Sequence, residues 1–293
     1  MNRFDLPAIA MGIAFALMWS SAFSTARIIV QETAPLTALS FRFAISGCLG
    51  IGWALALGQP LRLSRGQTKA MITFGICQNA IYLGVNFVAM QWIEASLAAI
   101  IASSLPLVVA FLSWLFFGEK VGWLGMAGLC FGIAGVGLIM GVRLDGSYGI
   151  LGAGLCFAGA VALAIATLTV RMASTGGNLA MVIGQQMLVG CCILAIPAIL
   201  FETSTLTWSW KFAAAFAYTT IVPGLLATWV WFTLVNRVGP TRASSFHFLN
   251  PFFGVAVAAA LLGEPFGPTD IIGVVIITAG ILAVQADRKR SGD

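Results

Sequence analysis

The chain has 293 residues, 60% of them apolar and only 9% charged, with a net charge of +5. Soluble domains carry about 25% charged residues and roughly 45–50% apolar ones, so this composition excludes a water-solvated globule of the same length. Polar breaks divide the chain into ten apolar segments, near 8–30, 35–58, 67–91, 94–117, 121–141, 147–171, 178–201, 210–236, 240–263 and 267–286. A helix needs about 20 apolar residues to cross a hydrocarbon core, and each segment is close to that length. In lipid every backbone group must be satisfied within its own segment, so the reading is all-α and polytopic.

The first segment runs unbroken from Pro7 to Val30. It is too long for a signal core and no small-residue cleavage pattern ends it, so it is expected to remain as the first helix. It offers Trp19, Ser20, Ser24 and Thr25. The second segment holds Arg42. A charge in lipid costs at least about 2.5–3.5 kcal/mol, so a reason is required. Seven residues into its helix, Arg42 is expected to reach the external surface or a helix-end partner; the other reading is a carboxylate-binding group. The third segment carries a stripe of Gly75, Asn79, Tyr82 and Asn86, with Gln78 beside it. The fourth has Ser103, Ser104 and Pro106, followed by Gly118-Glu119. Gly122, Gly125, Gly128, Gly132 and Gly135 of the fifth allow close backbone approach, either inside the chain or at a dimer face.

In the second half, the seventh segment has Gln185 and Gln186, and the eighth Tyr218 and Trp229. The ninth is the most polar interior: Ser244-Ser245-Phe246-His247-Phe248-Leu249-Asn250-Pro251. His247 and Asn250 share a face at a spacing of three. His247 is either a neutral hydrogen-bonding group or a proton-sensitive one. Polar groups at this depth face the bundle interior or water, as glue between helices or as a cavity lining, and the set as a whole favours a cavity. Trp53, Trp92, Trp114, Trp123, Trp208 and Trp210 sit near segment ends as interface anchors. Trp19, Tyr82, Tyr218 and Trp229 lie well inside, where core packing or contact with an apolar or aromatic cargo would use them. The candidate substrate-binding set is therefore Trp19, Ser20, Gln78, Asn79, Tyr82, Ser103, Tyr218, Trp229, His247 and Asn250. No metal-ligand cluster or cofactor motif is visible, and the six cysteines all fall within segments as packing residues.

A shift of 145 residues aligns 95–139 with 240–284 without a gap. Pro106 meets Pro251, Gly118-Glu119 meets Gly263-Glu264, Gly128 meets Gly273 and Gly135 meets Gly280. At an offset of 144, Thr25 and Arg27 meet Thr169 and Arg171. The chain thus divides into a five-helix repeat at 1–143 and a second at 144–293. With an odd number of helices each, the copies must enter the membrane from opposite sides. Inverted repeats around a midplane site are a recurrent transporter plan. Pro106 and Pro251 fall near the middle of their helices, where a proline costs about 3 kcal/mol and frees the carbonyl four residues back, at Ala102 and His247. This pair is the candidate hinge. Glu119 and Glu264 each precede a helix start and read as structural. Eleven Lys and Arg fall on one side against three on the other, which places both termini in the cytoplasm and explains the positive charge without nucleic acid.

Trp19-Ser20-Ser21-Ala22-Phe23, then Arg27, Pro35 and Arg42, followed in both halves by Pro, Gly-Glu and spaced glycines, resemble an EamA-type member of the drug/metabolite transporter superfamily. The detailed sequence is most similar to the bacterial aromatic amino acid exporters of that group. The resemblance implies an inner-membrane protein with a central cavity lined mainly by helices 1, 3, 4, 6, 8 and 9, taking Phe, Trp, Tyr, Met and Thr. Arg27 stands where many relatives have Lys. The expected function is amino acid export by alternating access. With no carboxylate deep in any helix, facilitated diffusion without a coupling ion is expected. The alternative is a proton-linked exporter of another metabolite or drug. An intramembrane enzyme is disfavoured by the absence of HExxH, GxSxG or a phosphate-binding loop. Expected partners are the small-molecule cargo, the lipid bilayer and, as an open option, a second copy of the chain.

Overall fold

The computed structural model describes residues 5–117, 122–143, 146–173, 177–203, 207–238, 243, 245–265 and 267–290. Among the sequence candidates, Gly118, Glu119 and Ser244 lie outside the described residues. The described residues are helical, without strands. In chain order they form α1 (Leu6–Glu32), α2 (Pro35–Ala56), α3 (Arg65–Ala89), α4 (Ala95–Ser103 and Leu105–Phe117) and α5 (Trp123–Arg143). Then follow α6 (Gly146–Ala173), α7 (Leu179–Phe201), α8 (Trp210–Val238), α9 (Ser245–Leu249 continued by Asn250–Leu262) and α10 (Pro268–Arg290). Stretches in α1, α2, α3, α6, α7 and α8 are long and apolar enough to cross a membrane, while α4, α5, α9 and α10 contain shorter apolar stretches. The chain is a multi-pass membrane protein.

The helix starts are held by side chains that reach unsatisfied N–H groups. Asp5 accepts from Ala8 N at 3.3 Å, and Ser64 forms a reciprocal capping box with Gln67. Two caps come from far along the chain. Glu202, after α7, accepts from Leu36 N at 2.8 Å and Thr37 N at 2.7 Å at the start of α2. Glu264, after α9, accepts from Ala95 N at 2.8 Å and Ser96 N at 2.9 Å at the start of α4. Glu264 is therefore a helix cap, as expected, but of α4 rather than of the helix that follows it. The start of α10 uses Asp270, which accepts from Gly267 N at 2.8 Å.

The prolines also differ in setting from the sequence reading. Pro106 and Pro251 do not interrupt continuous α-helices. In α4 the chain breaks at Ser104, whose N–H bonds the Ile101 carbonyl at 3.1 Å, and Pro106 stands in the first turn of the next piece. In α9 a 3-10 turn over Ser245–Leu249 leads into Asn250–Leu262, with Pro251 again in the first turn. Proline is tolerated there because its missing N–H would have no helical partner.

Helix α2 packs along α7, and α5 along α10. Around them α1 lies on α8 and α9, while α6 lies on α3 and α4. Glycines allow the tightest crossings, and Gly128, Gly132 and Gly135 of α5 are buried within the chain. A Cβ added at Gly280 would come within 2.6 Å of the Gly128 carbonyl, and one at Gly135 within 3.0 Å of the Gly273 carbonyl. These are the glycines that the 145-residue shift matches, so one contact maps onto the other. The pairing of 128 with 280 and 135 with 273 makes the two helices antiparallel.

Candidate functional site

Helices α3 and α8 each widen in the middle. Gly75–Leu83 of α3 and Thr220–Leu226 of α8 are π-helical. Their starts are 145 residues apart (220 less 75), the offset of the sequence repeat. Runs of π-helix are uncommon and collect at functional sites. In α8 the local cause is Pro223, which has no N–H to return to the Thr219 carbonyl four residues earlier. That carbonyl instead accepts from Nε of Arg42, at 3.2 Å.

Arg42 is only 3% exposed, which overturns its expected reach to the outer surface. Depth along α2 was the wrong criterion; the helix face decides. Phe41, Ile45 and Leu49 face outward, whereas Leu39, Arg42, Phe43 and Ser46 face the bundle. The guanidinium lies 5.2 Å from the Phe43 ring centre and beside Gly224, where an added Cβ would stand 3.3 Å from Nη2. Among the described residues no carboxylate pairs with it.

Arg42 lines a small interior cavity with Trp19 and Phe23 of α1, Gln78, Asn79, Tyr82 and Asn86 of α3, Met187 of α7, and Pro223, Gly224 and Thr228 of α8. Its free space is about 30 Å³. At about 10–15 Å³ per water, that holds a few waters at most. A cargo of metabolite size does not fit this space unless the helices part. Asn79 donates from Nδ2 to the Gln186 carbonyl at 2.9 Å, and Asn86 from Nδ2 to the Tyr82 carbonyl at 2.8 Å. Both amides must turn their nitrogen to those carbonyls, so both leave Oδ1 buried and without a partner. The Tyr82 hydroxyl is also buried and makes no well-directed hydrogen bond.

Behind Trp19 lies a second cluster. Trp19 stacks on Tyr82 with ring centres 6.2 Å apart and 7° between planes. On its other side His247 is buried at 5.1 Å from the Trp231 ring, 5.3 Å from Phe15 and 6.2 Å from Trp19. Asn250 Nδ2 stands 2.8 Å from His247 Nδ1, a bond that a neutral imidazole protonated at Nε2 accepts. Ser20 donates to the Asn250 carbonyl at 3.3 Å and joins α1 to α9.

Of the sequence candidates, Trp19, Gln78, Asn79 and Tyr82 thus line one cavity, with Ser20, His247 and Asn250 adjoining it. Ser103 bonds the Ile100 carbonyl of its own helix at 2.6 Å. Tyr218 is 38% exposed and bonded to Ser21 at 2.8 Å; Trp229, also 38% exposed, rests 6.2 Å from Trp53 on the outer face. The buried tryptophan of α8 is Trp231. Pro223 and Gly224 were not singled out from the sequence. The available signal was a proline-glycine pair inside an apolar segment, 145 residues after Gln78-Asn79. Among the described residues the acidic positions, 5, 32, 94, 202, 264, 270 and 287, all fall at or within one turn of helix ends. The interior offers a fixed cation and unpaired oxygens.

The profile of the EamA-like transporter family matches residues 6–141 and again 150–285. The chain is similar to the Bacillus subtilis transporter YvbV, 23% identical across 99% of this chain and 95% of that one. It is 26% identical to the Escherichia coli inner membrane transporter YedA, over 95% and 90% of the two chains. An S-adenosylmethionine/S-adenosylhomocysteine transporter of Chlamydia trachomatis is 22% identical, over 94% and 88%. A solved crystal structure of a protein 20% identical superposes with a TM-score of 0.71 over 98% of this chain and 99% of the other, a likeness of fold.

Proposed function

We propose, on the premise that the chain belongs to the EamA-like transporter family, that it exports aromatic and other neutral amino acids by alternating access. Support comes above all from the matched π-helical segments of α3 and α8, which flank the cavity that Arg42 and Asn79 line, at equivalent places in the two halves. In this reading ten helices cross the membrane as two inverted repeats, 1–143 and 144–293. The antiparallel, reciprocal glycine contacts of α5 and α10 and the two separate family matches favour it. The excess of Lys and Arg on the side of the termini supports cytoplasmic termini in a bacterial inner membrane. Pro106 and Pro251, each at a helix break, serve as hinges while the halves exchange conformations. Without a deep carboxylate, transport runs as facilitated diffusion.

The Chlamydia relative favours a second reading, export of another metabolite. S-adenosylmethionine itself carries an α-amino acid group, so the two readings share a head group. Counterflow in proteoliposomes with a panel of labelled amino acids tests the first. Exchange of aromatic amino acids is expected, without accumulation when a proton gradient is imposed. Uphill accumulation under that gradient would instead establish the proton-linked alternative, and no exchange of any amino acid would remove the cargo assignment.

A further inference from the structure

Arg42 poses an unsolved charge problem. A buried guanidinium with one neutral hydrogen bond is expensive unless an anion joins it. Its Nε is satisfied by the Thr219 carbonyl, its Nη atoms border the cavity beside Gly224, and no described carboxylate reaches it. The second observation is independent. Asn79 and Asn86 line the same cavity with buried amide oxygens that no group satisfies, because backbone carbonyls hold both amide nitrogens. An orphaned buried acceptor costs about as much as a lost hydrogen bond, so a site with both a lone cation and lone acceptors is built for a ligand that brings the complements.

We propose that Arg42 anchors the carboxylate of the cargo while the Asn79 and Asn86 amide oxygens receive its ammonium group, so that the cavity recognises the α-amino acid head. This deepens the amino acid reading above and rests on it. The planar guanidinium suits a carboxylate, with parallel donors meeting both oxygens. A zwitterion brings its own neutralising charge, whereas a simple amine would set a second cation beside Arg42. A phosphate would bring more negative charge than this one cation answers. The free space of about 30 Å³ admits little more than such a head group, so the side chain of the cargo must displace the aromatic wall of Trp19 and Phe23.

The test uses the full chain in liposomes, with labelled phenylalanine counterflow competed by phenylalanine, phenylalanine amide and 2-phenylethylamine. For the unaltered protein, the amide and the amine should compete about ten- to a hundredfold more weakly than phenylalanine, the loss of one charge-assisted contact. In Arg42→Gln, phenylalanine should fall to the level of its amide while the amide stays put. Arg42→Lys should recover part of the preference. Equal competition by phenylalanine and its amide in the unaltered protein overturns the proposal, and this arm needs no variant to fold. So does a parallel loss for both compounds in a folded Arg42→Gln. If no amino acid exchanges at all, the amino acid reading fails first. In that case, a thermal shift by 3-phenylpropanoate that disappears in Arg42→Gln would still support the anion anchor, and its absence would overturn that too.

Discussion

Gly75–Leu83 in α3 and Thr220–Leu226 in α8 occupy equivalent places in the two halves and take the same π-helical form, yet their side chains are opposite in kind. The first presents Gln78, Asn79 and Tyr82 to the cavity. The second has Pro223 and Gly224 where the first has Gln78 and Asn79, and leaves the Thr219 carbonyl and the room beside Gly224 to Arg42. Backbone geometry is shared by both halves, while the chemistry is divided between them. Had the amide been duplicated, it would occupy the room that Arg42 needs. A moving scaffold gains from symmetry, but a site that must orient an asymmetric cargo gains from its loss.

Making the halves alike at this point should have the largest effect. Gly224→Asn would place a Cβ 3.3 Å from Arg42 Nη2 and 3.0 Å from the Thr219 carbonyl, with a polar head still to accommodate. Counterflow is expected to fall to background; near-normal exchange would show that the room Gly224 leaves for Arg42 is not needed. Next comes Pro223→Ala, which returns an N–H to compete for the Thr219 carbonyl. Exchange should slow by about tenfold, the value of one hydrogen bond at the upper end of its range. A rate unchanged within twofold would detach the π-segment of α8 from function.

The halves also differ in who holds whom. Glu202 and Glu264 both belong to the second half and both cap helices of the first. Glu264→Ala should destabilise the protein by about 1 kcal/mol, the usual value of a lost N-cap, read as a lower Tm in detergent with exchange retained. An unaltered Tm would mean that α4 finds another cap. The smallest effect is expected at Asp5, whose carboxylate meets Arg237 at 2.7 and 3.0 Å on the exposed surface. The Arg237 hydrogen bond holds Asp5 below its ordinary value of 3.8. A lowered acid pKa stabilises above the unfolded value and loses that contribution as pH falls through the folded one. Asp5→Asn should therefore lower Tm only slightly, and by the same amount, between pH 5 and 8, because an exposed ion pair contributes little. That difference should close below about pH 4, where the carboxylate of the unaltered protein is protonated and its contribution is lost. A clear drop in Tm at neutral pH would show that this contact matters to the fold.

The helical segments were legible because apolar runs between polar breaks in lipid leave the helix as the hydrogen-bonding solution. The repeat was legible where rare residues coincide, as at Pro106 with Pro251. Side-chain direction was harder. A segment apolar on all sides has no strong periodicity, so nothing in the sequence told Trp229, on the outer face, from Trp231, in the core. Arg42 was placed by depth because its face depends on where α8 lies. The partner of Glu264 could not be read either, since a cap 169 residues away leaves no local spacing signal. The π-segments needed the backbone to be seen, although Pro223 and the repeat offset together marked the place.

The glycine crossing of α5 and α10 has a consequence for how such a chain can change. If its halves had been separate copies of one polypeptide, Gly128 against Gly280 and Gly135 against Gly273 would have been a single contact made twice. Any substitution there would then have struck both places at once. Joined in one chain, each position mutates alone, and a variant harmful in duplicate can be tried singly. The same freedom extends to the cavity, where one half could keep an amide while the other lost its side chain altogether. Within a single chain the two faces of the site are separately heritable.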